Sequence, residues 1–320
     1  MPHILIAGKI HAAGVDVLKA TPGIDFDIVE DVTTQAYAPF MARTNGVVLR
    51  TQPMTAQEIS AAPNLKIVSR HGVGYDAVDV QALSARNIPL AIVGDVNSRA
   101  VAEHTLMMML AVARHTVAHD HAARQQNWNV RNRFETVELD GKTLFLIGFG
   151  RIGQRVAHLA QAFGMTVIAY DPHVPTQLFT KLNVRSVAID EGLAVCDFLS
   201  VHMPPSPEGP LIGVSQIARM KSSAILVNTA RGGLIDELAL DAALREDRLL
   251  GAGFDVLMEE PPRPDHPLLN NPCFTISPHS AGLTQECAAR MAVAAVQNVI
   301  DCFNGKLNQK LVVNADRLTP

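Results

Sequence analysis

Apolar residues along the chain cluster in short runs, separated by stretches where they recur every three or four positions. The runs read as short apolar strands, and the recurring stretches as amphipathic helices. The runs 3–8, 26–30, 46–50, 66–70 and 89–93 alternate with helical patterns near 11–20, 34–43, 55–61 and 78–86. A second series starts at Thr143, with strands at 144–148, 166–170, 197–201, 224–228, 251–254 and 274–277. Helices near 151–163, 175–181, 190–194, 215–219 and 236–246 lie between them. Strand alternating with helix predicts a mostly parallel, doubly wound sheet, and two series predict two α/β domains.

Between the two series, 94–126 reads as one long helix with Ser98 as its N-cap, apolar nearly all round as far as Val112 and therefore buried there. Residues 127–142 read as an irregular polar arm around Trp128, and 259–267 as a Pro-rich loop. An alanine-rich helix at 284–303 and a short apolar tail at 310–315 follow. A length of 320 residues also exceeds what one core usually supports.

Composition narrows the function classes. A net charge of −4 gives neither a basic footprint for nucleic acid nor a polybasic membrane anchor, so neither partner is expected. Cys196, Cys273, Cys287 and Cys302 form no C-x-x-C pair, which predicts reduced thiols in a reducing compartment, without disulfides or a zinc site. His115, His119 and His121 have partly helical spacing, but no paired Cys, Asp or Glu completes a metal site, so no metal is expected. His104 reads as a satisfied core histidine and Met107–Met109 as packing. No charged start precedes a long apolar stretch, so no signal peptide is expected. The 106–113 run is too short to cross a bilayer.

The candidate chemistry lies at predicted strand ends. Gly148-Phe149-Gly150-Arg151-Ile152-Gly153 follows a strand and opens a helix, the arrangement that cradles a dinucleotide pyrophosphate on a helix N-terminus. Gly148 permits the tight turn, Gly150 lets the backbone approach the phosphates, and Gly153 lets helix and strand pack closely. Asp171 ends the next strand, where a carboxylate accepts hydrogen bonds from a ribose 2′-OH and repels a 2′-phosphate, favouring NAD over NADP. Three further strands end near Arg231, Asp255 and His279, with Glu259 and Glu260 shortly after Asp255. Arg231 is placed to clamp a carboxylate and polarise a carbonyl. His279 is placed to exchange the hydroxyl proton, and Glu260 to bond its other ring nitrogen, fix its tautomer and raise its pKa. That set suits hydride transfer between a nicotinamide and a 2-hydroxy acid.

GFGRIG…YDP (148–172), NTARGGLID (228–236), DVLMEEPP (255–262) and SPHSAG (277–282), in that order, resemble the D-isomer-specific 2-hydroxyacid dehydrogenases. RHGVGYDAVD (70–79) and NSRAVAEHTLMMML (97–110) resemble the same family's front half, so the likeness covers essentially the whole chain. It is of the phosphoglycerate dehydrogenase and glyoxylate–hydroxypyruvate reductase kind, in a short form without a regulatory domain. The resemblance implies a flavodoxin-like substrate-binding domain made of 1–97 plus 286–320, and a Rossmann NAD domain at 98–285, with a cleft between them. It implies Arg231, Glu260 and His279 as the catalytic trio. It implies a substrate carboxylate held by the backbone of Val73 and Gly74, with Arg50 nearby. Cofactor contacts are implied at Arg151, Ile152, Asp171, His202, Thr229, Asp255, His279 and Gly282. The 98–126 helix and the Trp128 arm resemble dimerisation elements, so a cytoplasmic homodimer is expected.

Gly209 departs from the family pattern, which commonly has Thr there. Formate dehydrogenases of this fold carry Gln where Glu260 stands, and phosphite dehydrogenases carry a Lys that the HGVGYD loop lacks. NAD-sensing corepressors share the trio but carry long disordered tails, which this compact pattern does not resemble. The expected activity is an NAD-dependent oxidoreductase acting on the CH–OH group of a small 2-hydroxy acid, or on its 2-oxo acid in reverse.

Overall fold

Strand β1 (His3–Ala7) is buried at every position, as an apolar run without alternation requires in a parallel sheet covered on both faces. The computed structural model describes residues 1–31 and 33–319, which divide into two units: Met1–Asn97 with Leu283–Pro320, and Ser98–Gly282. The first unit continues with α1 (Ala12–Lys19), β2 (Asp25–Val29), α2 (Thr34–Tyr37), β3 (Gly46–Leu49), α3 (Ala56–Ser60), β4 (Ile67–Arg70), α4 (Val80–Ala85) and β5 (Leu90–Ala91). The second holds α5 (Ser98–Ala113), α6 (Thr116–Arg124), β6 (Thr143–Ile147), α7 (Arg151–Ala162), β7 (Thr166–Tyr170), α8 (Thr176–Lys181), β8 (Arg185–Ser186), α9 (Ile189–Val195) and β9 (Phe198–Val201). It ends with α10 (Val214–Ile217), β10 (Ile225–Asn228), α11 (Glu237–Arg245), β11 (Gly251–Phe254) and β12 (Phe274–Ile276), and α12 (Gln285–Phe303) returns to the first unit.

Among the described residues, the first unit forms a five-stranded parallel sheet in the order β2-β1-β3-β4-β5, the flavodoxin-like arrangement. The tail guards its edge. Val313 N–H bonds to Leu90 O, Ile92 N–H bonds to Leu311 O, and Asn314 Oδ1 accepts the Leu90 N–H. A strand edge paired in this way offers no template for aggregation.

The second unit is a seven-stranded parallel sheet ordered β12-β11-β10-β9-β6-β7-β8. The Rossmann order 3-2-1-4-5-6 is present, with one strand added. Alternate residues of β6 divide between two cores, Leu144 and Leu146 on one face, Phe145 and Ile147 on the other. Such fully buried side chains stabilise the sheet by roughly 1.5–3 kcal/mol each. The strand order reverses between β6 and β9, and ligands of open α/β sheets bind outside the carboxyl ends at that point. The two doubly wound domains of the sequence reading are therefore present as two parallel sheets.

Three local expectations need correction. The predicted single helix over 98–126 is two helices, broken at His115, whose φ is 49°. Its cause is non-local: Val137 N–H takes the Ala113 carbonyl, which a continuing helix would have needed. Ser98 is not a cap but the first helical residue, and its Oγ accepts the Arg155 Nε–H at 2.9 Å. The polar arm is not wholly irregular, because Trp128–Arg133 forms a 3₁₀ helix. Another 3₁₀ helix, Ala38–Arg43, follows α2 where Pro39 interrupts the α-helical ladder. The short, exposed β8 carried no apolar signal. No helix among the described residues is long and apolar enough to cross a membrane.

Candidate active site

The strands of the second sheet are parallel, so their carboxyl ends share one edge, and the candidate residues follow those ends in turn. Gly148 follows β6 with φ of 96°, and a Cβ there would collide with the His202 carbonyl after β9. At Gly153 a Cβ would strike the Gly148 carbonyl, so both positions exclude any other residue. Gly150 is different: nothing lies within 4 Å of where its Cβ would stand. It is the N-cap of α7 and makes no side-chain cap bond. The first-turn N–H groups of Arg151, Ile152 and Gly153 therefore sit behind an open backbone approach, which fits a pyrophosphate.

Asp171 follows β7, and its Oδ2 accepts the Phe149 N–H of the glycine loop at 2.8 Å. His202 follows β9 with its Nε2 2.9 Å from Ser200 Oγ. Its buried Nδ1 has no partner among the described residues. Burial pushes the His202 pKa down to about 4, so the ring is neutral at physiological pH. Thr229 follows β10, buried, with its Oγ1 2.8 Å from Thr105 Oγ1 on α5. These residues fit a dinucleotide: an open glycine turn, a helix N-terminus and a carboxylate at the next strand end.

Asn228 builds the Arg231 turn. Its Nδ2 donates to Arg231 O at 2.8 Å and its Oδ1 accepts the Ala230 N–H at 3.0 Å. Arg231 Nη1 donates to Ala230 O at 2.6 Å. After β11, Glu260 receives the Leu257 N–H on Oε1 at 3.0 Å, and its Oε2 lies 2.6 Å from His279 Nδ1. Glu259, the neighbouring carboxylate, is exposed. The Glu260 bond raises the His279 pKa above the ordinary imidazole value, against the opposing effect of burial. Burial by itself would raise the Glu260 carboxyl, but the His279 bond and charge, the Leu257 N–H and Arg231 together hold it below the usual carboxylate range. The pair is therefore arranged to hold and release a proton at the free His279 Nε2.

Asp255 is buried, and its carboxylate accepts Ser277 Oγ–H and Ser280 N–H on Oδ1 and Ala281 N–H on Oδ2. Gly282 follows directly and ends the unit.

In the first unit, Val73 and Gly74 lie in the loop after β4. Arg70, at the end of β4, shapes that turn by donating from Nε to Gly74 O at 2.8 Å. Arg50 Nη1 donates to Lys9 O at 2.9 Å. His71, buried beside Arg50 and Arg70, has its pKa pushed down to about 4 by burial and then by the Arg50 charge. Arg70, Asn228 and Ser277 escaped the sequence reading. Their position at strand ends was the available signal; Arg70 and Asn228 bond within their own turns, whereas the partners of Ser277, Asp255 and His104, lie 22 and 173 residues away. Among the described residues no group of three or more His, Cys, Asp or Glu side chains is arranged to hold a metal ion.

Residues 106–281 match the model of the D-isomer specific 2-hydroxyacid dehydrogenase NAD-binding domain. A D-3-phosphoglycerate dehydrogenase of Methanocaldococcus jannaschii is 36% identical over 315 residues, 98% of this chain but 59% of that protein. The chain thus spans under two thirds of that relative's length. A glyoxylate reductase of Korarchaeum cryptofilum is 33% identical over 319 residues, covering 97% of this chain and 96% of that one. An NAD-dependent formate dehydrogenase from Staphylococcus aureus, solved in complex with NAD, superposes with a TM-score of 0.85 at 28% identity, covering 98% of each chain. The glycine loop, the strand-end carboxylate and these matches point to one conclusion: the chain belongs to the D-isomer-specific 2-hydroxyacid dehydrogenase family and carries its NAD-binding domain.

Proposed function

We propose that this protein is an NAD-dependent D-2-hydroxyacid dehydrogenase that also reduces small 2-oxo acids, of the glycerate, hydroxypyruvate, glyoxylate, lactate or phosphoglycerate type. The observation that carries the proposal is the Glu260–His279 pair, joined at 2.6 Å at the same sheet edge as the glycine loop. When bound, the nicotinamide cofactor supplies or accepts the hydride at substrate C2. In reduction His279 gives the proton on Nε2 to the substrate oxygen, and in oxidation it takes that proton back. Glu260 holds Nδ1 and stabilises the imidazolium with its charge. Arg231 holds the substrate carboxylate and polarises the carbonyl with its planar fork. The N–H groups of Val73 and Gly74, with Arg50, form the proposed carboxylate cradle of the first domain.

The proposed cofactor set is Gly148, Gly150, Arg151, Ile152, Gly153, Asp171, His202, Thr229, Asp255 and Gly282. The proposed assembly is a cytoplasmic homodimer. Val117 on α6 and Trp128 and Phe134 on the following arm are exposed, which supports a partner surface there, and the four unpaired cysteines agree with a reducing compartment.

Formate oxidation gives carbon dioxide without moving a proton to or from a hydroxyl, so a Glu–His proton pair favours a hydroxy or oxo acid. The decisive measurement is loss of NADH absorbance with hydroxypyruvate, glyoxylate, pyruvate and 3-phosphohydroxypyruvate. Turnover on one or more is expected. No turnover on any, with NADH still bound, would turn the reading toward an NAD-sensing binding protein. NADH formation from NAD and phosphite alone would identify a phosphite dehydrogenase.

A further inference from the structure

His279 sits with φ of 51°, in the left-handed region that L side chains rarely adopt. A conformation of that kind persists only where its surroundings over-determine it. The restraint here is Asp255. Its carbonyl accepts the His279 N–H at 2.9 Å, and its carboxylate accepts the next two N–H groups, of Ser280 and Ala281, each at 2.8 Å. The same carboxylate accepts the Ser277 hydroxyl at 2.5 Å. One buried side chain thus grips the segment on both sides of the imidazole.

The carboxylate is itself braced from α5. His104 Nε2 lies 2.8 Å from Ser277 Oγ and 3.6 Å from Asp255 Oδ1. The direction of these bonds follows from donor supply. Ser277 spends its only hydroxyl proton on Asp255, so its Oγ accepts, and His104 Nε2 carries the hydrogen. The chain runs His104 N–H to Ser277 O–H to Asp255 carboxylate, and each donor polarises the next. Burial holds the His104 pKa below its ordinary value against the pull of Asp255, the charged group that faces it, so the ring is a neutral donor.

We propose that His104 and Ser277 are positioning residues: through Asp255 they lock the left-handed turn that aims His279 at its proton partner. The proposal rests on the dehydrogenase reading above and adds to it two residues that act through Asp255. His104 has a use beyond filling the core, and the brace ties α5 to the segment that carries the imidazole.

The test compares His104→Ala, His104→Gln and Ser277→Ala in the full chain. Gln offers an N–H at about the reach of His Nε2. Three readings are taken: NADH affinity by fluorescence, kcat against pH with the best 2-oxo acid, and the His279 ring titration by NMR of histidine-labelled protein, assigned with His279→Ala. His104→Ala and Ser277→Ala are expected to lower kcat about tenfold or more, since small misplacements of a reacting group cost that much. NADH affinity should stay within about threefold, and the His279 titration should move down toward the ordinary value as its Glu260 bond loosens. His104→Gln should restore kcat and the titration toward wild type. Should His104→Ala fail to fold, Ser277→Ala and His104→Gln answer by the same readings. The proposal is overturned if the His279 titration and kcat of the folded variants match wild type, or if Gln behaves like Ala. A wild type without turnover refutes the dehydrogenase reading, and the NMR titration then decides this one alone.

Discussion

Asp171 Oδ2 accepts the Phe149 N–H at 2.8 Å while Asp171 Oδ1 accepts the His173 N–H at 2.9 Å, so one carboxylate ties the end of β7 to the glycine loop after β6. The residue proposed to exclude a 2′-phosphate also holds the loop in place, and two substitutions separate these roles. Asp171→Asn keeps an acceptor and removes the charge, and should raise kcat/KM for NADPH relative to NADH by about tenfold. Asp171→Ala loses the anchor as well and should also raise KM for NADH. An unmoved NADH/NADPH ratio in both would assign the preference to another group.

His279→Ala should lower kcat by about 10²–10⁴, the usual worth of a placed acid–base group, while NADH binding measured by fluorescence persists. Retained turnover would remove His279 from the proton step.

Glu260→Gln tests the tuning. The Glu260 bond raises the His279 pKa, and in the proposed mechanism reduction needs His279 protonated. Reduction is therefore full below the His279 pKa and lost as pH rises through it; oxidation has the opposite limb. A neutral Gln cannot stabilise the imidazolium, so the falling limb of kcat/KM for reduction should move to lower pH. A limb that stays where it was would contradict the assignment.

Arg231→Ala should raise KM and lower kcat together, because the proposed clamp would act on the bound acid and in the transition state alike. Arg231→Lys should recover little, since a point charge does not reproduce the planar fork. An unchanged kcat/KM would place the carboxylate elsewhere.

Stability should fall in acid for an identifiable reason. His71 and His202 have pKa values pushed down from 6.5 to about 4, chiefly by burial. Folding keeps both rings neutral. Their contribution is therefore whole above pH 6.5 and is lost as pH falls toward 4, each worth about 3 kcal/mol. Thermal unfolding followed from pH 7 to 4 should show the loss, and His202→Asn should flatten it by its share. A slope identical to wild type would deny His202 that share.

Much of the molecule was legible along the chain, because burial and element type are local properties. A short apolar run such as 46–49, bounded by polar residues, suits a strand covered on both faces, and Gly148-x-Gly150-x-x-Gly153 between strand and helix has one well-formed turn. Parallel strands then send their carboxyl ends to one edge, so the chain alone marks the residues just past those ends as candidates.

Tertiary structure decided which distant groups answer one another. The break at His115 exists because Val137, from the returning arm, takes the Ala113 carbonyl, and no glycine or proline marks it. Arg70 Nη1 reaches Leu49 O on the neighbouring strand, 21 residues away, at 3.1 Å. His104 reads along the chain as a satisfied core histidine, but the group that satisfies it, Ser277, lies 173 residues away. Apolar patterning specifies which positions are withdrawn from water, whereas a hydrogen bond needs a particular donor brought to a particular acceptor within a few tenths of an ångström. Only the packed chain supplies that proximity.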